Sequence, residues 1–375
     1  MKKLVNPFKP TAGAEPPVLI GREKVLEDFS DALEEGVGAP SRLMRITGPR
    51  GSGKTVLLTE LGDIARERGW SVVDETASEK LVSSLVAALG QRAASPEASV
   101  DFDLGVVKAH VGTGAVEDSS KLTLREAMGR ATSRRTGNPM GLLVTIDEVQ
   151  DAAESDMREI ASAVQHLIRE RKNVAFVFAG VTTGVMDLIN GPALTFLRRA
   201  KAEELGAIPL DEVSVALRAS IEKSGMRVSD AALDDMARAT EGYAYLIQLV
   251  GYHVWRMARR HAGESLTITQ EDSSEGVKEA LRDFNVAVHE TALADLPLKA
   301  VEYLLAMTCD DGVSSTAEIA DRLQTSPSSL TSYRRMLVKR QIIEPTARGF
   351  VAFSIPYTRE YLMESRDALL ARYGC

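Results

Sequence analysis

The 375-residue sequence predicts an α/β protein with a mainly parallel sheet, followed by a helical region and a C-terminal winged helix-turn-helix. Three observations carry that expectation. Leu142–Ile146 and Val174–Gly180 are continuous apolar runs, as strands covered on both faces require. Leu43–Ile46, a shorter run, leads straight into a glycine-rich loop and then into a helical stripe of Val56, Leu57, Leu58, Leu61 and Ile64. Beyond Leu210 the apolar period is helical, and the last segment reads as short helices followed by strand-like Gly349–Ile355.

Taken in order, residues 1–18 contain Pro and Gly without helical period and read as an extended arm. Ile20-Gly21-Arg22-Glu23 opens an amphipathic helix through Val25, Leu26, Phe29 and Leu33, ended by Gly36 and Gly38. Trp70–Val73 reads as a second strand and Leu81–Leu89 as a helix of small residues. The stretch 91–138 is polar and weakly periodic. Its alternation at Val100, Phe102, Leu104 and Val106 suggests a hairpin-like insertion, with a mobile loop at 112–120 and a helix over 123–134. A polar helix over 272–285 joins the helical region to the last segment. The expected units are an arm and first helix (1–40), a core (41–208, with 91–138 inserted), a helical lid with its linker helix (209–290) and the winged helix (291–375).

Composition bounds the function. The apolar fraction of 44% and charged fraction of 26% are those of a soluble globular protein. Two cysteines, Cys309 and Cys375, make no disulfide framework or metal spacing, which suggests a reducing compartment. No apolar run is long enough to span a bilayer, so a cytoplasmic location without membrane partners is expected. The net charge of −8 excludes a uniformly basic surface but leaves room for one basic face.

Gly48-Pro49-Arg50-Gly51-Ser52-Gly53-Lys54-Thr55 fits G-x-x-x-x-G-K-[ST], the Walker A pattern of an α/β P-loop NTPase domain. Glycines let the backbone curl until its N–H groups face phosphate oxygens, and the following helix adds its positive end. Lys54 is expected on the β- and γ-phosphates and Thr55 on Mg²⁺. Asp147 and Glu148 end the apolar strand, which is expected beside the strand feeding the loop. Asp147 would then orient the Mg²⁺ shell, and Glu148 would polarise the attacking water.

With those residues and the Gly21-Arg22-Glu23 box in place, the chain resembles AAA+/STAND-type ATPases related to archaeal origin-recognition and helicase-loader proteins. More narrowly, it resembles an actinobacterial group of ATP-binding proteins. The resemblance runs from Asn6-Pro7-Phe8 through Asp147-Glu148-Val149-Gln150 to the C-terminal winged helix. It implies ATP/ADP and Mg²⁺ as ligands, an AAA+-like core and a helical lid. It further implies that Gly21 and Arg22 line the adenine side, that Thr182 or Thr183 supplies a sensor hydroxyl, and that Arg198 and Arg199 act as fingers on a neighbour in a homo-oligomer. The lid departs from the pattern, because Glu241-Gly242-Tyr243-Ala244 carries neither the sensor arginine nor the Gly-x-Pro of such proteins. Gly242 and Tyr243 are the remaining lid contacts to nucleotide. The expected nucleotide set is therefore Gly21, Arg22, Gly48 through Thr55, Val56, Gly242 and Tyr243.

In the winged helix, Ser326 suits an N-cap and Pro327 the first turn of the third helix. Ser328, Ser329, Thr331, Ser332, Arg334 and Arg335 face outward, Lys339 and Arg340 close the helix's C-terminal end and Arg348 sits at the wing tip, so duplex DNA is a candidate partner. Residues 325–349 hold five basic side chains against one acid, Glu344, in an otherwise acidic chain. Three functions remain open on the sequence: an ATP-driven switch docking on DNA, a STAND-like switch whose winged helix binds protein, and a nucleotide-binding scaffold without turnover.

Overall fold

The computed structural model describes residues 4–11, 21–94, 122–132, 141–191, 194–261 and 266–374. The N-terminal part alternates helix and strand: α1 (Glu23–Glu35), β1 (Leu43–Thr47), α2 (Lys54–Glu67), β2 (Ser71–Thr76), α3 (Leu81–Ala94), α4 (Leu124–Ala131), β3 (Leu142–Asp147), α5 (Glu154–Arg169), β4 (Val174–Gly180), α6 (Thr182–Asn190) and β5 (Lys201–Glu204). The five strands form one parallel sheet in the order β2-β3-β4-β1-β5. β3 and β4 are buried at every position, as their largely apolar sequences require, with Thr145 and Asp147 the polar residues of β3.

One expectation changes here, and one strand is unmarked in the sequence. β3 is not beside β1, because β4 lies between them and pairs with both. β5 has no apolar run. Its residues alternate between half-buried and exposed at the sheet edge, so the pattern Lys-Ala-Glu-Glu carries no strand signal. The helix expected over 123–134 is α4, opened by a capping box in which Thr123 and Glu126 satisfy each other's backbone N–H. The alternating patch 100–106 and the loop 112–120 lie outside the described residues.

Each sheet face has its own core. Leu85, Met128, Ile146, Ile160, Phe176 and Phe178 pack on one face beneath α3, α4 and α5. Phe29, Met44, Leu57, Leu61 and Val177 pack on the other beneath α1 and α2.

A third core gathers α7 (Leu210–Lys223), α8 (Asp230–Ala239), α9 (Ala244–His261) and α10 (Gln270–Phe284), with a two-residue parallel pair of β6 (Arg227–Val228) and β7 (Thr267–Ile268). The described part of the N-terminal arm joins this core. Phe8 is buried there against Gly251 of α9, and the Asn6 side-chain amide donates to the Tyr252 carbonyl. Trp255 and Tyr243 are buried in the same helical region.

After a π-helical turn (Asn285–Glu290) and a short α11 (Thr291–Leu293), a fourth core holds α12 (Leu298–Met307), α13 (Thr316–Arg322), α14 (Thr331–Lys339), α15 (Thr358–Glu364) and α16 (Arg366–Ala371). A three-stranded antiparallel sheet completes it, with β8 (Val313–Ser315), β9 (Ile343–Ala347) and β10 (Phe350–Phe353) in the order β8-β10-β9. The third helix begins at Thr331 rather than near Pro327. Ser326 Oγ instead accepts from the Ser329 N–H at 3.4 Å in a separate turn.

The helical and C-terminal parts meet at His289. The ring is 1% exposed, stacks on Tyr361, meets Phe284 edge-on and donates from Nε2 to the Pro356 carbonyl at 2.9 Å. Burial pushes its pKa down from 6.5 to about 4. The unfolded chain therefore takes up this proton near pH 6.5, whereas the folded chain resists it until about pH 4. Stability should fall as pH drops through that window, by up to about 3 kcal/mol from this group. Urea denaturation at pH 7 and pH 4.5 checks it: His289→Gln should lose less stability between the two pH values than wild type. An equal loss in both would assign the acid sensitivity to other groups.

Candidate functional site

β1 delivers the chain to the glycine loop at its C-terminal end, where Leu205 N–H also pins the Thr47 carbonyl at 2.7 Å. The loop curls through Gly51 (φ 72°) and Gly53 (φ 91°), left-handed conformations that suit glycine. α2 then begins at Lys54 itself. Lys54 is 5% exposed, and its ammonium donates to the carbonyls of Gly48 (3.0 Å) and Pro49 (2.9 Å) inside the curl. Burial lowers its pKa, opposed by the nearby carboxylates of Glu148 and Asp147.

Although β4 separates β3 from β1, the acids still reach the loop. Thr55 Oγ1 donates to Asp147 Oδ2 at 2.5 Å, joining the start of α2 to the end of β3. Asp147 Oδ1 accepts from the Glu148 N–H at 2.8 Å. Glu148 takes a left-handed backbone (φ 50°), which turns the chain sharply off the strand. Its carboxylate accepts from the Gln150 side-chain Nε2 at 2.6 Å, and the Gln150 side-chain Oε1 accepts from Val181 N–H at 3.1 Å. A Thr55 hydroxyl and an Asp147 carboxylate are hard oxygen donors of the kind that Mg²⁺ prefers.

The helical region grips the loop tip. Tyr243 donates its hydroxyl to the Arg50 carbonyl, and Tyr245 N–H donates to the Gly51 carbonyl at 3.3 Å. A Cβ on Gly51 would collide with the Tyr243 ring, so the close approach needs glycine as much as the backbone angle does. Burial holds the Tyr243 hydroxyl well above the usual phenol range. Gly242 anchors the same turn through its carbonyl, which accepts from Ile208 N–H at 2.8 Å. Arg22 donates to the Gly206 carbonyl at 3.2 Å, placing the Gly21-Arg22 box at the junction of β5 and α7.

The C-terminal part reaches the loop as well. Gln341, left-handed (φ 58°) and 8% exposed, accepts from the Arg50 N–H through Oε1 at 3.1 Å. Arg50 is therefore bracketed, its N–H bound by the C-terminal part and its C=O by the helical part. Around this junction lies a cleft of about 850 Å³, whose walls include Gly48, Ser52, Thr182, Thr183, Tyr243 and Gln341. Like charges face each other along it. Burial and Glu204 push the Glu344 carboxyl up, and burial and Glu360 do the same to Glu241. No sequence pattern marks Gln341, since its contact spans 291 positions and depends on one left-handed residue at the end of α14.

The two finger candidates differ. Arg198 donates to the carbonyls of Ile189 (2.8 Å) and Asn190 (2.7 Å), capping the negative end of α6, so its guanidinium is already committed. Arg199 is exposed in a groove with Arg158, Gln165 and Phe196. Of the residues proposed for DNA, Ser328, Ser329, Arg335, Lys339 and Arg348 are exposed and Arg334 is half-buried. Arg340 is exposed but donates to the Ala294 carbonyl at 2.8 Å. Among the described residues no helix is long and apolar enough to cross a membrane.

Comparison with known proteins adds two matched segments. Residues 18–177 match the AAA ATPase domain family, and residues 286–362 match Domain of unknown function (DUF8462). No curated protein sequence matches the chain. Among solved structures, a Walker-type ATPase of Pyrococcus abyssi is 16% identical with a TM-score of 0.64, the match covering 92% of this chain and 96% of that one. The Aeropyrum pernix ORC2 protein, solved as ADPNP–ADP complexes, is 14% identical with a TM-score of 0.60 and 98% coverage of both chains. The Thermotoga maritima RuvB Holliday junction branch migration motor is 17% identical with a TM-score of 0.50, covering 92% and 95%. At these identities the likeness establishes the fold, an AAA+ P-loop NTPase with a parallel α/β sheet.

Proposed function

Since residues 18–177 match the AAA ATPase domain family and the fold is that of an AAA+ P-loop NTPase, we propose that the protein is a Mg-ATP-hydrolysing switch whose nucleotide state governs how its C-terminal part is held. The observation that carries the catalytic half is the direct contact of Thr55 with Asp147, the Walker A hydroxyl meeting the acid at the end of β3. The backbone N–H groups of Gly51–Thr55 and the Lys54 ammonium hold the phosphates. Thr55 and Asp147 hold Mg²⁺, which supplies charge neutralisation on the phosphate oxygens when bound. Glu148 takes a proton from the attacking water as its oxygen bonds to the γ-phosphorus and the bond to the ADP oxygen breaks. Arg199, rather than Arg198, is the finger candidate for a neighbouring copy.

The coupling half rests on Arg50. One peptide linkage on either side of this residue connects the loop to both the helical region and the C-terminal part. The like-charged pairs Glu204–Glu344 and Glu241–Glu360 oppose that docking, so a modest change in the loop can shift it.

The C-terminal part, in which α12, α13 and α14 stand with a three-stranded antiparallel sheet, reads as a winged helix with DNA as its partner. Arg335, Lys339 and Arg348 give it exposed positive charge in an acidic chain. Duplex DNA binding followed by fluorescence anisotropy tests this. Binding should weaken as salt rises, and Arg334→Ala/Arg335→Ala should weaken it at least about 10-fold and flatten the salt slope. Binding that is absent or insensitive to salt would favour the second reading, a STAND-like switch whose winged helix engages protein. The Gln341 contact with the loop is the observation on that side.

A further inference from the structure

The structure points to a residue that neither the phosphate loop nor the two acids account for. We infer that Gln150 is the positioning residue for Glu148, holding its carboxylate at one point beyond the end of β3 and tying that point to the end of β4. This rests on the proposed role of Glu148 as base.

Glu148 needs such a hold. It follows the last strand residue in a left-handed conformation that few non-glycine residues adopt, so the strand itself does not fix where its side chain goes. Gln150 lies two residues on, in the turn Val149–Asp151, and uses both ends of its amide. Its Nε2 donates to Glu148 Oε2 at 2.6 Å, and its Oε1 accepts from the Val181 backbone N–H at 3.1 Å. A backbone N–H at the end of a fully buried strand is a rigid anchor, so the restraint passes from β4 to the base.

Two glycines make the room. A Cβ on Gly180 would collide with Gln150 Oε1, and one on Gly184 would lie 2.5 Å from Gln150 Cβ. Val181 directly precedes Thr182 and Thr183, which line the cleft with Gly48 and Ser52. A displacement of that threonine pair would carry with it Val181 N–H, the anchor through which Gln150 holds the base. The Gln150 side-chain amide bonds to Glu148 and Val181 and not to the phosphate loop or Asp147, so its loss should change turnover through Glu148 and leave nucleotide affinity alone.

Steady-state ATP turnover, binding of ADP by calorimetry and thermal midpoints, measured on wild type, Gln150→Met and Gln150→Glu in the full chain, test the proposal. Gln150→Met removes both hydrogen bonds at similar volume. Gln150→Glu keeps an acceptor for Val181 but cannot donate to Glu148. The expected result is a kcat lowered on the order of 10- to 100-fold in both, with KM and ADP affinity within about twofold of wild type. A kcat within twofold of wild type in Gln150→Glu overturns the proposal, since the Val181 tie alone would then suffice. ADP affinity falling in step with kcat in both variants also overturns it. Wild type without turnover defeats the underlying ATPase reading instead. If Gln150→Met does not fold, Gln150→Glu decides alone.

Discussion

Lys54→Ala is expected to weaken ATP and ADP binding at least about 100-fold while leaving the fold intact. The ammonium is the loop's only cation that is both buried and enclosed by the curl, with Gly48 and Pro49 carbonyls on one side and the carboxylates of Asp147 and Glu148 nearby. Phosphate oxygens would gain a charge-assisted partner there in a region of low dielectric, where such a pair is about twice as strong as a neutral one. The folded chain loses little in exchange. Burial already lowers the lysine's pKa, so its charge is held at a cost that alanine removes. Titration of a fluorescent nucleotide should show the loss of binding, and the thermal midpoint without nucleotide should stay within about 4 °C. Unchanged affinity would remove the loop from the nucleotide site.

Glu148→Gln is expected to separate binding from turnover. The substitution keeps the side chain's size, its left-handed backbone and a hydrogen bond to Gln150, and it removes the group that accepts the water's proton. Removal of a positioned general base costs on the order of 100- to 10,000-fold in rate. Phosphate release should fall by that factor with nucleotide affinity unchanged. Because Asp147 keeps its bonds to Thr55 and to the residue-148 N–H, the Mg²⁺ donors stay in place. Turnover near the wild-type rate would assign the base elsewhere.

How much of this was legible in the sequence follows from which forces act locally. β3 and β4 announce themselves because strands buried on both faces are apolar along most of their length, and β1 and the glycine loop announce themselves together because a phosphate cradle needs glycine at fixed spacing after a strand. β5 is invisible for the converse reason, as an edge strand with alternating exposure it needs no apolar run. The position of β4 between β1 and β3 is equally hidden, because strand order is settled by crossovers and leaves no trace in any one strand's composition.

The site divides along the same line. Gly48–Thr55, Asp147 and Glu148 stand together as their pattern implies. Arg198 and Arg199 look identical in sequence, and only the end of α6 distinguishes them by engaging Arg198. Gln341 and Gln150 carry no signal at all. An amide is common anywhere on a surface, and what makes these two matter is a left-handed turn, a distant backbone N–H and two small residues across the gap. The Asp147-Glu148-Val149-Gln150 run includes one of them, but its role requires β4 to be seen beside it.

The central claim is that the loop, the two acids and the bracketed Arg50 constitute a hydrolysing switch. Its most direct test is phosphate release from Mg-ATP by the full wild-type chain, followed across protein concentrations with and without duplex DNA. The account predicts release above the protein-free rate, a specific activity that rises with concentration as Arg199 reaches a neighbour, and stimulation by DNA. Release no faster than without protein, at any concentration and with either addition, would contradict it.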